Sequence, residues 1–182
     1  MIDAKVNGVS FKSLGLGLIR HDIPVLPPTK DYTIEIAGRD GELDFGVTYG
    51  PRTIELECVV MANDTTIDYH NKVAGIARVF NAKRGDQAFT FSDLPGKRYM
   101  ARYSGTLPIE KILFDGRVTI PLKMVNPWPE SDERVTELTI THSPEVTSIT
   151  SKGDVQAEPI IVLTNTGSNL IRSFRITNEY TI

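Results

Sequence analysis

Residues 34–60 read IEIAGRDGELDFGVTYGPRTIELECVV. Two apolar alternations flank a charged, glycine-punctuated middle. Phe45, Val47 and Tyr49 recur at every second position, as do Ile54, Leu56, Cys58 and Val60, with Thr53, Glu55 and Glu57 between the latter. Successive side chains of a strand point to opposite faces, so the pattern predicts half-buried antiparallel strands, with Phe45, Val47 and Tyr49 sharing one face. Arg39, Asp40, Glu42, Asp44 and Arg52 crowd into the same stretch. Such a density of charge fits a catalytic site, a metal loop, or a turn that sets the geometry of an assembly.

Working outward, the same period of two continues. Phe89 and Phe91 form one short alternation, Tyr99, Ala101 and Tyr103 a second, and Val118, Ile120, Leu122 and Met124 a third. Cys58 reads as a small buried side chain, because no histidine is spaced to activate it. VNGV near the start and LFDGRV around Asp115-Gly116 carry hairpin chemistry, since Asn, Asp and Gly accept the positive φ of tight two-residue turns. The second turn would set Leu113 near Val118. One segment breaks the pattern. In NDTTIDYHNKVAGIARVFNAKRG, Tyr69, Val73, Ile76 and Phe80 recur at helical spacing. Asn63 or Asp64 would cap the start, which is a better use of NDT than glycosylation in a chain with no secretory signal. Lys83 and Arg84 suit the C-terminal end, Gly85 the stop, and Gly75 a point of close packing.

The chain of 182 residues is 40% hydrophobic and 24% charged, which suits one domain or one and a fraction. A net charge of −3 offers no global attraction to nucleic acid or anionic membrane. A single cysteine forms no internal disulfide. There is no signal segment and no apolar run near the roughly 18 residues that span a bilayer, so a soluble chain made in the cytoplasm is expected. MVNPWPESDE, with Pro127 and Pro129 around the only tryptophan, Trp128, marks a boundary. It predicts a main domain over residues 1–130 and a C-terminal β segment over 131–182. Strand candidates in that segment lie at 135–140, 160–164 and 171–177, too few to fold securely alone.

The chemistry of the common enzymes is missing. His21, His70 and His142 stand far apart, in no metal-ligand spacing. GLGLIR lacks the third glycine and the strand-to-helix setting of a dinucleotide site, and no nucleophile elbow or phosphate loop is present. Asp40, Glu42 and Asp44 alternate, which fits a glycosidase pair or a calcium loop, but the calcium-loop spacing is absent and Arg39 and Arg52 bracket the acids. The plain reading is a charged hairpin edge. The functional reading it favours is an interface whose charges orient subunits. No metal, cofactor or catalytic residue is expected.

The order of motifs resembles a known family. GRDGELDFGVTYGPRTIELECVV, then a helix, then FTFSDLPGKRYMARY, then a hairpin ending in VNPWPE, is similar over about residues 1–130 to the N-terminal domain of the distal tail proteins of long, non-contractile-tailed phages. Gly38, Arg39, Asp40, Gly41, Asp44, Tyr49 and Arg52 match the family's turn-to-strand pattern in order. GDVQAEPIIVLTNTGSNLIRSFRITN resembles the entry to the family's galectin-like C-terminal sandwich. The resemblance implies a mainly β protein, an antiparallel sandwich or split barrel with one α-helix. It implies a structural virion component assembled in the host cytoplasm, also compatible with a prophage origin. It further implies a homo-oligomer, a hexameric ring joining the tail tube protein to a tail-tip or tail-associated protein, with DNA passing through and no sequence-specific binding to it. Arg39, Asp40, Asp44, Tyr49 and Arg52 are its expected interface and turn-fixing residues. The rival class is a carbohydrate-binding adhesion module, which needs an aromatic platform. After residue 130 only Phe174 and Tyr180 are aromatic. A third reading, a tail-associated peptidoglycan hydrolase, lacks a nucleophile or metal triad.

Overall fold

The computed structural model describes residues 2–61, 66–107, 109–112, 115–151, 153, 155 and 157–179. Strands alternate with short turns in the order β1 (Ala4–Val6), β2 (Val9–Ser10), β3 (Leu16–Asp22), β4 (Thr29–Glu35), β5 (Glu42–Tyr49) and β6 (Arg52–Val60). There follow the helix α1 (Thr66–Val79), β7 (Gln87–Phe91), β8 (Tyr99–Tyr103), β9 (Ile109–Ile112) and β10 (Asp115–Met124). All pairings are antiparallel. The architecture is mainly β with one helix, as the alternation and the single 3.6-period segment predict.

One sheet runs β2-β1-β7-β8-β10-β6-β3, with β9 also on β10. Its two halves are sewn together between β8 and β10 by only two residue pairs, Leu122↔Tyr103 and Lys123↔Arg102. They enclose a core in which every alternating residue of the β6 and β10 sets named above is buried, from Ile54 to Val60 and from Val118 to Met124. The long β6–β10 ladder registers these sets directly opposite one another, Leu56 on Ile120 and Ile54 on Leu122. Removing that much apolar area from water is the main source of stability. Cys58 is fully buried within it, and burial pushes its thiol up to about 12.

The helix packs as its spacing predicts. Tyr69, Ile76 and Phe80 are buried and Val73 partly so. The Phe80 ring meets Phe11 edge-on at 5.9 Å and stacks on Phe89 at 6.1 Å. Its end differs from expectation. The helix stops at Val79, and Lys83 and Arg84 belong to a separate 3-10 turn, where the Asn81 side chain accepts a hydrogen bond from the Lys83 N–H at 3.0 Å. Gly75 does not mark close packing, because a Cβ built there meets nothing within 4 Å. The expected cap at Asn63 or Asp64 lies outside the described residues.

The VNGV turn forms as read, with Asn7 at φ 49 and Gly8 at φ 82, both in the left-handed region this hairpin type needs. Asn7 also ties the turn to β7: its N–H donates to the Ala88 carbonyl, and its Oδ1 accepts from the Ala88 N–H. The second hairpin is displaced. Asp115 and Gly116 already lie in β10, paired with Ile112 and Lys111, so Val118 faces Ile109 and not Leu113. The acid-glycine pair is a permissive signal for a turn, and the ladder overrides it. Leu113 and Phe114 lie outside the described residues.

The chain clusters into two compact units, residues 1–139 and 140–182. The exit segment is fastened to the first as far as Glu130, which exchanges two 2.8 Å backbone bonds with Arg98 and accepts Nη2 of Arg98 at 2.8 Å. Beyond it no strand occurs among the described residues of 131–182, where Ile160, Val162, Leu170 and Phe174 are exposed. Apolar alternation makes a strand only where another strand takes up its backbone bonds.

Candidate assembly surface

The charged stretch of residues 39–52 lies mostly on a two-stranded arm, β4 paired with β5 alone. The turn at its far end closes with the Arg39 N–H on the Ile36 carbonyl at 3.1 Å, with Gly38 at φ 82 in the position a type II turn reserves for glycine. The ladder is interrupted midway. Asp31 pairs with Val47 but Thr33 with Asp44, so Phe45 and Gly46 together oppose Tyr32. This is a β-bulge. Gly46 takes φ 99, and its N–H donates to the Asp44 Oδ1 at 2.7 Å.

The bulge corrects the expected face. Register places Leu43 beside Ile34 and Thr48 beside Lys30 on one side, and Val47 and Tyr49 with Asp31 and Thr29 on the other. Phe45, which follows Asp44 before the bulge, falls on the Ile34 side. Phe45 therefore does not share a face with Val47 and Tyr49. Both faces are open: every residue of β4 and all of β5 except Leu43 are exposed, Phe45 by 64%. Tyr32, Ile34, Ile36, Phe45 and Val47 thus make an exposed apolar ribbon. A lone two-stranded ribbon is marginal in water, and exposed apolar patches of this kind mark interaction surfaces.

The five site residues separate into two groups. Arg39 and Asp40 sit at the far turn and Asp44 at the bulge, all exposed, and no ion pair among the described residues involves them. Tyr49 and Arg52 sit at the root. There Gly50 donates to the Pro28 carbonyl at 2.7 Å, and Tyr49 meets the edge of Trp128 at 5.2 Å. Arg52 is only 4% exposed, with its guanidinium 5.9 Å over the Trp128 ring. Its Nη2 donates to the Val25 carbonyl at a long 3.4 Å, and its buried Nε has no acceptor. Burial pulls its pKa down. A buried charge with no counter-ion is costly, which makes this the least satisfied group of the core.

Two features escaped sequence reading. Trp128 stands out as a boundary marker, yet it is the plate on which Tyr49 and Arg52 rest. A lone tryptophan held between prolines near an unpaired arginine is the available signal. The second feature is a pair 72 positions apart, His21 Nε2 to Asp93 Oδ2 at 2.7 Å. Leu16 and Leu18 face the core, and continuing the alternation would send Arg20 inward. A bulge at Ile19 turns Arg20 out toward Glu57 and brings His21 in, opposite Leu56 and against the Phe91 ring. The hydrogen bond from His21 holds the Asp93 carboxyl below its usual value.

Among the described residues, no three of His, Cys, Asp and Glu are grouped to hold a metal, and no helix is long and apolar enough to cross a membrane. The open groove beside Asp3, Lys5, Ser92, Lys97 and Arg98 mixes charges without a nucleophile and base in contact.

Comparison with known proteins follows this geometry. No curated protein matches the chain. The fold is similar to the crystal structure of SPP1 Dit (gp 19.1), described as "a Paradigm of Hub Adsorption Apparatus in Gram-positive Infecting Phages", with TM-score 0.65 and 17% identity over 72% of this chain and 53% of that one. The chain thus spans about half the length of that protein. Residues 11–124, from the first 3-10 turn to the end of β10, match the family model described as the phage tail protein RIFT-related domain. The chain belongs to the phage tail protein RIFT-related domain family, as a structural tail component with a Dit-like fold.

Proposed function

We propose that this chain is a ring-forming hub subunit that joins the tail tube to the tail tip or baseplate, without catalysis. The observation that carries the reading is the arm: a β ribbon exposed on both faces, apolar along its length, and anchored to its own domain only at the root. Exposed edges and apolar ribbons recruit further chain. A head-to-tail contact that closes on itself makes a ring, hexameric in this proposal. The hub description attached to the SPP1 neighbour supports the same role. The partners are further copies of the chain, the tail tube protein and a tail-tip protein, with DNA crossing the central opening. The address is the virion tail, reached after assembly in the host cytoplasm.

The test is negative-stain imaging and light scattering of the purified chain at high concentration and of assembled tails. Rings of copies at the tail end are expected. Tails that carry the chain only as isolated monomers would refute the hub. Release of cell-wall fragments by the purified chain, abolished by Asp40→Asn, Glu42→Gln or Asp44→Asn, would show the structural reading to be wrong.

A further inference from the structure

Among the described residues the Arg52 guanidinium has no carboxylate partner, although the residue is 96% removed from solvent and its Nε is an orphan. Its hydrogen bond among the described residues, 3.4 Å to the Val25 carbonyl, is at the weak limit for such bonds. The groups around it are the Trp128 ring, the Tyr49 that leans on Trp128 and the Tyr99 phenol, which interacts with it electrostatically; none is a carboxylate. The group covering it is the backbone of Val25, a residue 92% exposed, in the strand-free segment between β3 and β4. A planar guanidinium with an unsatisfied N–H beside aromatic rings is suited to bind a carboxylate.

The same chain carries unpaired carboxylates in the complementary place. Asp40, Glu42 and Asp44 lie on the outer half of the arm, exposed and outside every ion pair of the described residues. They cannot reach their own Arg52. Asp44 stands five positions up β5 from Tyr49, roughly 17 Å of extended strand, and Asp40 further still. Complementary groups that cannot meet within one chain meet between copies, head to tail.

We propose that Arg52 is a carboxylate receptor at the root of the arm, filled by an acidic side chain from the outer arm of a second copy of this chain. The incoming carboxylate takes the place of the long bond to Val25 and gives Nε its acceptor. This rests on the ring reading above and names the contact that fixes its orientation. Arm acids and receptor then form one repeating pair at each subunit boundary.

The test uses the full chain and measures self-association by sedimentation and light scattering across a concentration series. Arg52→Met keeps the length of the side chain and removes the charge. It is expected to melt at or above the wild-type temperature, since an unpaired buried charge is gone, while associating at least tenfold more weakly. One of Asp40→Asn, Glu42→Gln and Asp44→Asn is expected to reproduce that loss, and combining it with Arg52→Met to add nothing. Wild-type association by Arg52→Met overturns the receptor and leaves the ring standing. If Arg52→Met does not fold, the three exposed arm variants decide alone: wild-type association by all three overturns the proposal. A wild-type chain that remains monomeric even in assembled tails overturns the ring and the receptor together.

Discussion

β5 and β6 are separated by Gly50 and Pro51, and both alternate apolar with polar residues. Yet β6 buries Ile54, Leu56, Cys58 and Val60 completely, while β5 leaves Phe45, Val47 and Tyr49 exposed. The difference lies in the neighbours. β6 is flanked by β3 and β10, and a second layer covers its inner face. β5 has β4 alone. Period two reports that a segment is extended and two-sided. It does not report whether the chain itself provides the opposing layer. In the body it does. In the arm it does not, and both faces stay open.

The sharpest way to break this comparison is to delete one aromatic ring in each region. Phe80→Ala removes a ring packed between Phe11 and Phe89 and should cost about 3–5 kcal/mol. Phe45→Ala, on the open arm, should change the stability of the isolated subunit by less than about 0.5 kcal/mol. Paired urea melts check both, and equal losses would mean the arm is packed within its own subunit. Next in size is Gly46→Ala. Nothing stands within 4 Å of the added Cβ, so the penalty is conformational only, about 1–2 kcal/mol for a side chain forced to φ 99. It should fall on the arm, as faster amide exchange in β4 and β5 with protection in β6 unchanged.

Gly75→Ala carries the opposite sign. The helix position is open, so replacing glycine should stabilise the body by about 0.5–1 kcal/mol, read as a higher urea midpoint. The smallest expected effect is the His21–Asp93 pair. The Asp93 carboxyl is held below its ordinary 3.8, so the contribution is complete above that pH and fades as pH falls through the lowered folded value. Solvent reaches Asp93, which limits the pair to about 0.5 kcal/mol. Wild type and His21→Asn should therefore differ slightly near pH 5 and converge at lower pH. A difference that grows on acidification would reject the pairing.

The body of the fold was legible because its elements are locally consistent. β6, β7 and β10 each bury every second residue, β8 buries Tyr99 and Ala101, and the helix face from Tyr69 to Phe80 follows its own period. The misreadings come from places where one residue resets a phase. The bulge at Phe45-Gly46 moves Phe45 to the other face of the arm, and the bulge at Ile19 turns a half-buried His21 toward the Phe91 ring where the alternation had Arg20. A bulge depends on pairing with another strand, and a sequence read in one dimension does not contain that pairing. Asp115-Gly116 failed as a turn for a related reason, since local permissiveness yields to the ladder with β9. At the site, the charged stretch announced itself, but its division into an outer group and a buried root did not. Arg39 and Arg52 look alike in the sequence, and one is in water while the other lies on Trp128.

The bulge has a geometric consequence beyond the arm itself. A closed circle of identical parts requires each part to turn by a fixed angle relative to the last, and an error in that angle gives an open spiral instead. A bulged strand bends and over-twists at one defined point, so the direction taken by the outer half of the arm is written into three residues, Asp44, Phe45 and Gly46. Deleting Gly46 would shorten the arm very little. It would leave Asp31 opposite Val47, Tyr32 opposite Phe45 and Thr33 opposite Asp44, a regular ladder in which every side chain keeps its face but the bend is gone, and the outer half of the arm would run along a different line.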